Sequence, residues 1–275
     1  MITQDGLRIP YDVLVVALGA RQTVAVEGAM PFRGPQDLTV VADALDAIGS
    51  PGRVAYVARS ATMWTLPLYE LALHTAAWLE RRGADVEVLL VTDESAPLQA
   101  FGARASHQLA DVFERAGVRL ILNTAVSRMQ HGRLITASGN PIQADLAVAL
   151  PHLAGPAVPG LPHDAEGFVP VDPMGRVRGA DDVYAVGAMT DRPLRQDGLA
   201  AQQADVVAFA IAAEDGAFVP ARSYHPVLHA RLVSGDEVLC LGNPAHVAQP
   251  EPPHEFAGRH LAPCLGTHGD LEPVG

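Results

Sequence analysis

The segment DDVYAVGAMTDRPLRQDGLAAQQAD, residues 181–205, followed by a run ending Phe209-Ala-Ile-Ala-Ala213, decides how the rest of this chain is read. Val183 to Val186 is a short apolar run halted by Gly187, the pattern of a buried strand that ends in a turn. Leu199 to Ala213 is rich in Ala, Leu, Gln and Val and holds no breaker, so a helix is predicted there, opened by Asp197 and Gly198 with Asp197 as its cap. The predicted order is therefore strand, glycine turn, loop, helix. Such an arrangement aims backbone N–H donors and the positive end of a helix at whatever lies above the strand.

Working outward, composition sets the limits. The 275 residues suffice for one large or two modest domains, and 49% hydrophobic with 18% charged residues argues for a soluble globular chain. A net charge of −12 with only 19 Lys and Arg argues against nucleic-acid binding, which needs clustered cations. The longest apolar runs, such as Val13 to Leu18, fall far short of the ~20 residues of a spanning helix. Gln4, Asp5 and Arg8 interrupt any signal-peptide core, which makes the cytoplasm the expected compartment. The two cysteines, Cys240 and Cys264, form no C-x-x-C and read as ordinary thiols.

Two further runs read as elements of the same kind. After Pro10-Tyr11-Asp12, the run Val13 to Ala20 predicts a buried strand ending at Gly19. Arg53 to Asp93 predicts strand, helix, strand: Val54 to Ala58, Leu68 to Arg82 with Leu71, Ala72, Thr75, Trp78 and Leu79 on one stripe, then Val86 to Asp93. Gln22 to Gly49 looks like a connector with a helix-like piece, Leu38 to Ile48, and Gly49-Ser50-Pro51-Gly52 marks a boundary. Asp93 and Glu94 fall at a strand end where an acid can accept from a ribose hydroxyl, yet the loop Ala58 to Pro67 has no glycine to let a backbone approach pyrophosphate. A helix from about Arg104 to Ala116 and strands at Val118 to Leu122, Val126 to Ala137 and Ile142 to Leu150 follow. His107, His152 and His163 read as solvated or loop histidines. Pro226 between His225 and His229 argues against a metal pair. The tail from Phe218 is rich in proline and histidine, with short strands near 226–233 and 237–241.

VYAVGAMT…RQDGLAAQQAD resembles the second flavin-binding signature of the FAD-dependent pyridine nucleotide-disulfide oxidoreductase superfamily. The resemblance is strongest to its sulfide:quinone reductase-like and type II NADH dehydrogenase-like branch. YDVLVVALGA, residues 11–20, is similar to the strand that returns the chain to the FAD domain. MWTLPLYELA, residues 63–72, looks like the tryptophan-and-proline loop of quinone-reductase-like members. ADLAVALP, GFVPVDPMGRV and EFAGRHLAP match further family segments. The resemblance implies two dinucleotide-binding, Rossmann-like, three-layer α/β domains plus a small C-terminal α+β cap. The first domain would be partial (1–48 and 151–216), the second would span 52–150, and the cap 217–275. The first βαβ unit with its G-x-G-x-x-G turn is expected before Met1, which makes the chain a truncated form or a natural remnant.

Under that resemblance FAD is the implied cofactor and NAD is disfavoured. Gly19, Ala20, Glu70, Gly187, Ala188, Gln196, Gly198 and Leu199 are the implied flavin residues. No catalytic residue and no metal ligand is implied. One departure stands out: the family's Gly-Asp is here Gly187-Ala188, so its carboxylate is missing. Asp197 would oppose a reduced anionic flavin, with Arg195 as the offset. The implied activity is electron transfer from a small-molecule donor through flavin to a quinone-like acceptor, with peripheral membrane contact and a homodimer left open. A degenerate or truncated paralogue that keeps the fold without binding FAD is the alternative, and an isolated NAD-binding module is a third.

Overall fold

Unbroken apolar runs become central strands when both of their faces are covered. The computed structural model, which describes residues 1–2, 5–59, 64–219, 222–234 and 237–242, shows this for β4 (Gly52–Ala58) and β5 (Val86–Thr92). They pair in parallel, Val54 opposite Val88 and Ala58 opposite Thr92. The sheet continues through β6 (Val118–Ile121) on one side and β10 (Leu146–Ala149) and β3 (Met30–Pro31) on the other, all parallel. Alternate residues of β4 enter different layers. Val54, Tyr56 and Ala58 pack with α1 (Leu38–Asp46), α2 (Leu66–Arg82) and α3 (Ala103–Arg115). Ala55 and Val57 pack under an antiparallel sheet of β7 (Val126–Gln130), β8 (Arg133–Thr136) and β9 (Ile142–Gln143). Helices, parallel sheet and antiparallel sheet make three layers.

The stretch expected to be a connector, 22–49, instead contributes β3 and α1 to this unit, with Val41 and Leu45 in its main core. A two-residue strand carries too little pattern to be seen in sequence. The tail forms a hairpin, β13 (His229–Ser234) with β14 (Glu237–Gly242), whose Leu232 and Leu241 are buried in the same core. Helix α2 is thus covered on its sheet side and on its back, which is why its buried face extends to Leu66, Leu68, Tyr69 and Leu73 beyond the single stripe. Cys240, in β14, is disulfide-bonded and not an ordinary thiol; Cys264 lies outside the described residues.

The second unit is built on β1 (Leu14–Val16) and β12 (Val183–Ala185), paired in parallel with Val16 opposite Ala185. β2 (Arg21–Thr23) and β11 (His152–Ala154) pair beside them in antiparallel fashion. Val183 and Ala185 face a core with Val169, Val171, Val177 and Met189, while Tyr184 and Val186 face Val207 and Ala210 of α4 (Asp197–Glu214). The run Val13 to Ala20 is not the buried strand its composition suggests. Val13, Val15 and Leu18 are 37%, 46% and 65% exposed. Among the described residues β1 has a partner on one edge only, so one of its faces lacks the cover that burial requires.

Candidate functional site

Strands β1 and β12 end side by side, and each runs into a turn that holds a glycine of left-handed conformation. Gly19 has φ 71° and Gly187 φ 78°, values that L side chains adopt only at a cost. The ends are cross-tied: the Val186 amide donates to the Val16 carbonyl at 3.0 Å, and the Leu18 amide to Met189 Sδ at 3.3 Å. A side chain at Gly19 would meet nothing within 4 Å, so the end of β1 opens into free space. A Cβ at Gly187 would lie 3.6 Å from Ala200, so the end of β12 is roofed by the first turn of α4. The Gly187 amide also donates to Gln203 Oε1 at 2.8 Å, pinning the glycine turn to the helix.

The start of α4 differs in one detail from the sequence expectation. Its cap is Gln196, whose Oε1 accepts from the Leu199 amide at 3.0 Å, while Asp197 is already the first helical residue and is exposed. The chain at Gln196 is extended, which lets the longer amide reach back where Asp197, one residue on, cannot. Gly198 follows from this cap, since a Cβ there would sit 2.9 Å from Gln196 Oε1. Leu199 is buried in the core of the first-described unit. The first-turn amides of Asp197 and Gly198 lack intrahelical acceptors by geometry and form the positive end of α4.

Arg195 lies inward of this turn. Its Nε donates to the Ala188 carbonyl at 3.1 Å and one terminal nitrogen to the Thr190 carbonyl at 3.2 Å, and its guanidinium stacks 3.7 Å from the Phe168 ring centre. Burial depresses its pKa, while Glu166, Asp164 and Asp191 act in the opposite sense. It therefore braces the loop between β12 and α4 from beneath instead of facing Asp197. Glu70 is engaged elsewhere: its Oε1 accepts from the Val233 amide of β13 at 2.9 Å. Of the residues singled out from sequence, Gly19, Ala20, Gly187, Ala188, Gln196, Gly198 and Leu199 belong to the paired strand ends and the helix start, and Glu70 ties the tail to α2.

At the carboxyl end of the five-stranded sheet, Glu94 turns away from solvent. Its Oε2 accepts from the Tyr69 hydroxyl at 2.6 Å and the Thr92 hydroxyl at 3.2 Å, and the side chain is 3% exposed. Burial raises its pKa, which the two hydroxyls and a hydrogen bond from the Gln99 backbone partly counter. Of the two acids that position suggested for a ribose, Asp93 and Glu94, the second is thus directed towards α2. Tyr69 on a buried helical stripe gave no sign of this pairing, because the contact joins residues 25 apart. Among the described residues no group of His, Cys, Asp or Glu could hold a metal, and His225 and His229 lie in a loop and a strand.

A parallel strand–helix–strand unit joined to glycine-ended strands and a capped helix defines an α/β protein built from dinucleotide-binding units. Residues 70–213, more than half of the chain, match the family model for pyridine nucleotide-disulphide oxidoreductases, and the chain belongs to that family. Among solved structures it is similar to the sulfide:quinone oxidoreductase of the hyperthermophilic bacterium Aquifex aeolicus, at 20% identity and TM-score 0.74, over 88% of this chain and 67% of that one. It is also similar to LpdA from Mycobacterium tuberculosis, at 19% identity and TM-score 0.56, over 85% of this chain and 49% of that one. A third, Fdr9, shares 22% identity at TM-score 0.54, over 83% of this chain and 57% of that one. The chain thus spans between about half and two thirds of the length of these structures.

The residues present fit a flavin at one end only. A glycine turn packed against a positive helix end, as at Gly187 and the start of α4, suits a planar ring system that gains negative charge on reduction. For the ADP end, the chain contains no G-x-G-x-x-G turn and no carboxylate at Ala188.

Proposed function

We propose that this chain is the core of an FAD-dependent oxidoreductase that takes electrons from a small-molecule donor and passes them to a quinone or similar acceptor. The carrying observation is that β1 and β12 run side by side into the Gly19 and Gly187 turns, the second of which lies against the first turn of α4. Bound flavin would supply the redox chemistry, and the protein would orient it and tune its potential. The backbone of Gly19, Ala20, Gly187 and Ala188 would line the ring, and the Asp197 and Gly198 amides would favour its reduced, anionic form. Arg195, close behind Ala188, adds positive potential on the same side. Glu70 would act at one remove by holding the tail hairpin on α2.

Titration of the purified protein with FAD tests it. Saturable quenching of flavin fluorescence, or a yellow protein as isolated, supports the proposal. A colourless protein that leaves added FAD unquenched removes it. The missing carboxylate favours a second reading, a relative that keeps the fold without binding FAD. Ala188→Asp separates the two. A charge-assisted hydrogen bond is worth ~1.5–3 kcal/mol, so the variant should bind FAD roughly ten- to a hundredfold more tightly if the rest of the site is intact. Equal, negligible uptake by both proteins would favour the second reading.

A further inference from the structure

Just before the Gly187 turn, Ala185 of β12, Arg192, Gln203 of α4 and Tyr224 of the tail line one small cavity. Gln203 is 6% exposed, and a buried amide needs a partner at each of its two ends. One end is settled, because Oε1 accepts from the Gly187 amide at 2.8 Å. The other end has only hydrogens to offer, and the Tyr224 hydroxyl takes up a hydrogen bond from Gln203. Tyr224 is itself held in place. Its amide donates to the Pro173 carbonyl at 2.9 Å, and the Arg192 guanidinium lies 4.7 Å from its ring centre. Arg192 in turn donates to the Asp172 carbonyl at 2.6 Å. Burial raises the Tyr224 pKa, against the Gln203 hydrogen bond and the Arg192 charge, so the phenol keeps its proton at neutral pH.

We propose that Tyr224 and Gln203 form a relay through which the tail positions the Gly187 turn, and that both are positioning residues for the site assigned to flavin. The relay stands on the contacts above; its effect on flavin rests on the function proposed for the chain. The physical reason lies in the peptide plane. Holding the Gly187 N–H in one direction fixes the plane from which the backbone of Gly187 and Ala188 departs, at a residue whose φ of 78° has no side chain to hold it. Without the Tyr224 hydroxyl, the buried Gln203 amide would lose one partner and gain a reason to turn away from the glycine. Gln202, next along α4, makes the contrast. It grips Val227 with both ends, donating to its carbonyl and accepting from its amide at 2.9 Å each. Two adjacent amides thus divide the work: Gln202 docks the tail, and Gln203 carries the position of Tyr224 to the turn.

Hydrogen exchange of the Gly187 amide, followed by NMR, reads the relay without flavin. Gln203→Met removes the acceptor at similar length and should quicken that exchange about tenfold. Tyr224→Phe removes one hydroxyl and should quicken it about two- to tenfold, the span of one neutral hydrogen bond. Gln202→Met frees Val227 but leaves the Pro173 hold on Tyr224, so Gly187 should exchange as in the native protein. Tyr224→Phe without effect on Gly187 overturns the relay. So does a Gln202→Met effect equal to that of Tyr224→Phe, which would mark a general loosening of the tail. FAD titration of the same four proteins reads the second half. Affinity should fall about two- to tenfold in Gln203→Met and Tyr224→Phe, and the absorbance bands of the bound flavin should move in those two alone. Equal affinity and equal spectra in all four proteins overturn the positioning role. Native protein that takes up no FAD, while Gly187 exchange follows the expected order, sinks the flavin reading and the positioning role with it but supports the relay.

Discussion

Glu94 illustrates how a residue's neighbours, and not its place in a motif, set its chemistry. At the end of a Rossmann-type strand an acid is expected to face a ribose, yet Tyr69 and Thr92 draw it into the interior. Its folded-state pKa is raised above the ordinary 4.5. The folded protein therefore holds the proton more tightly than the unfolded chain, so this contribution to stability is complete below 4.5 and is lost as pH rises through the raised value. Glu94→Gln should abolish that slope: the variant gains on the native protein as pH rises, which thermal unfolding across pH 4 to 8 would record. A constant difference between the two proteins would show that Glu94 has the same pKa in the folded and the unfolded chain. Tyr56, buried and bonded to Thr75 at 2.5 Å, has its pKa pushed up to about 12 and stays neutral throughout that range.

At the scale of elements, the junction of β12 and α4 depends on two small features. Gln196→Ala removes the cap from α4 and should cost about 1 kcal/mol, read as a lower denaturation midpoint at unchanged m-value. Gly187→Ala meets Ala200 only at ordinary contact distance, so its cost comes from the backbone at φ 78°. A non-glycine residue in that conformation costs ~1–2 kcal/mol, and chemical denaturation should find a loss of that order. A neutral effect would mean that the turn relaxes to a different φ. The strand and helix themselves were legible because an apolar run and a breaker-free Ala- and Gln-rich stretch leave little choice. The cap was not, since whether Gln196 or Asp197 reaches the Leu199 amide depends on the path of the preceding loop.

Across the whole molecule, the tail hairpin is joined to the parallel-sheet unit by buried leucines and by one side chain. Leu232 is 1% exposed among core residues of α2, and a buried Leu→Ala change costs ~2–5 kcal/mol. Leu232→Ala should therefore lower global stability, and hydrogen exchange should quicken in the back face of α2. Loss of protection confined to the hairpin would show instead that it is an appendage. Glu70→Ala leaves the Val233 amide without its acceptor, and should loosen β13 without altering FAD affinity if Glu70 acts only through the tail. No helix among the described residues is long and apolar enough to cross a membrane.

What the amino-acid order determined by itself was local: the glycine-ended strands, the breaker-free helices, the parallel strand–helix–strand and the short strands of the tail. Each follows from side-chain periodicity and turn chemistry over fewer than twenty residues. Only the tertiary structure decided that 22–49 joins the central sheet, that Val15 and Leu18 face solvent and that Arg195 braces a turn from within. It likewise assigned Glu70 to the tail and Glu94 to a buried tyrosine. These depend on which surface covers which, and on partners distant in sequence, information that no local pattern carries.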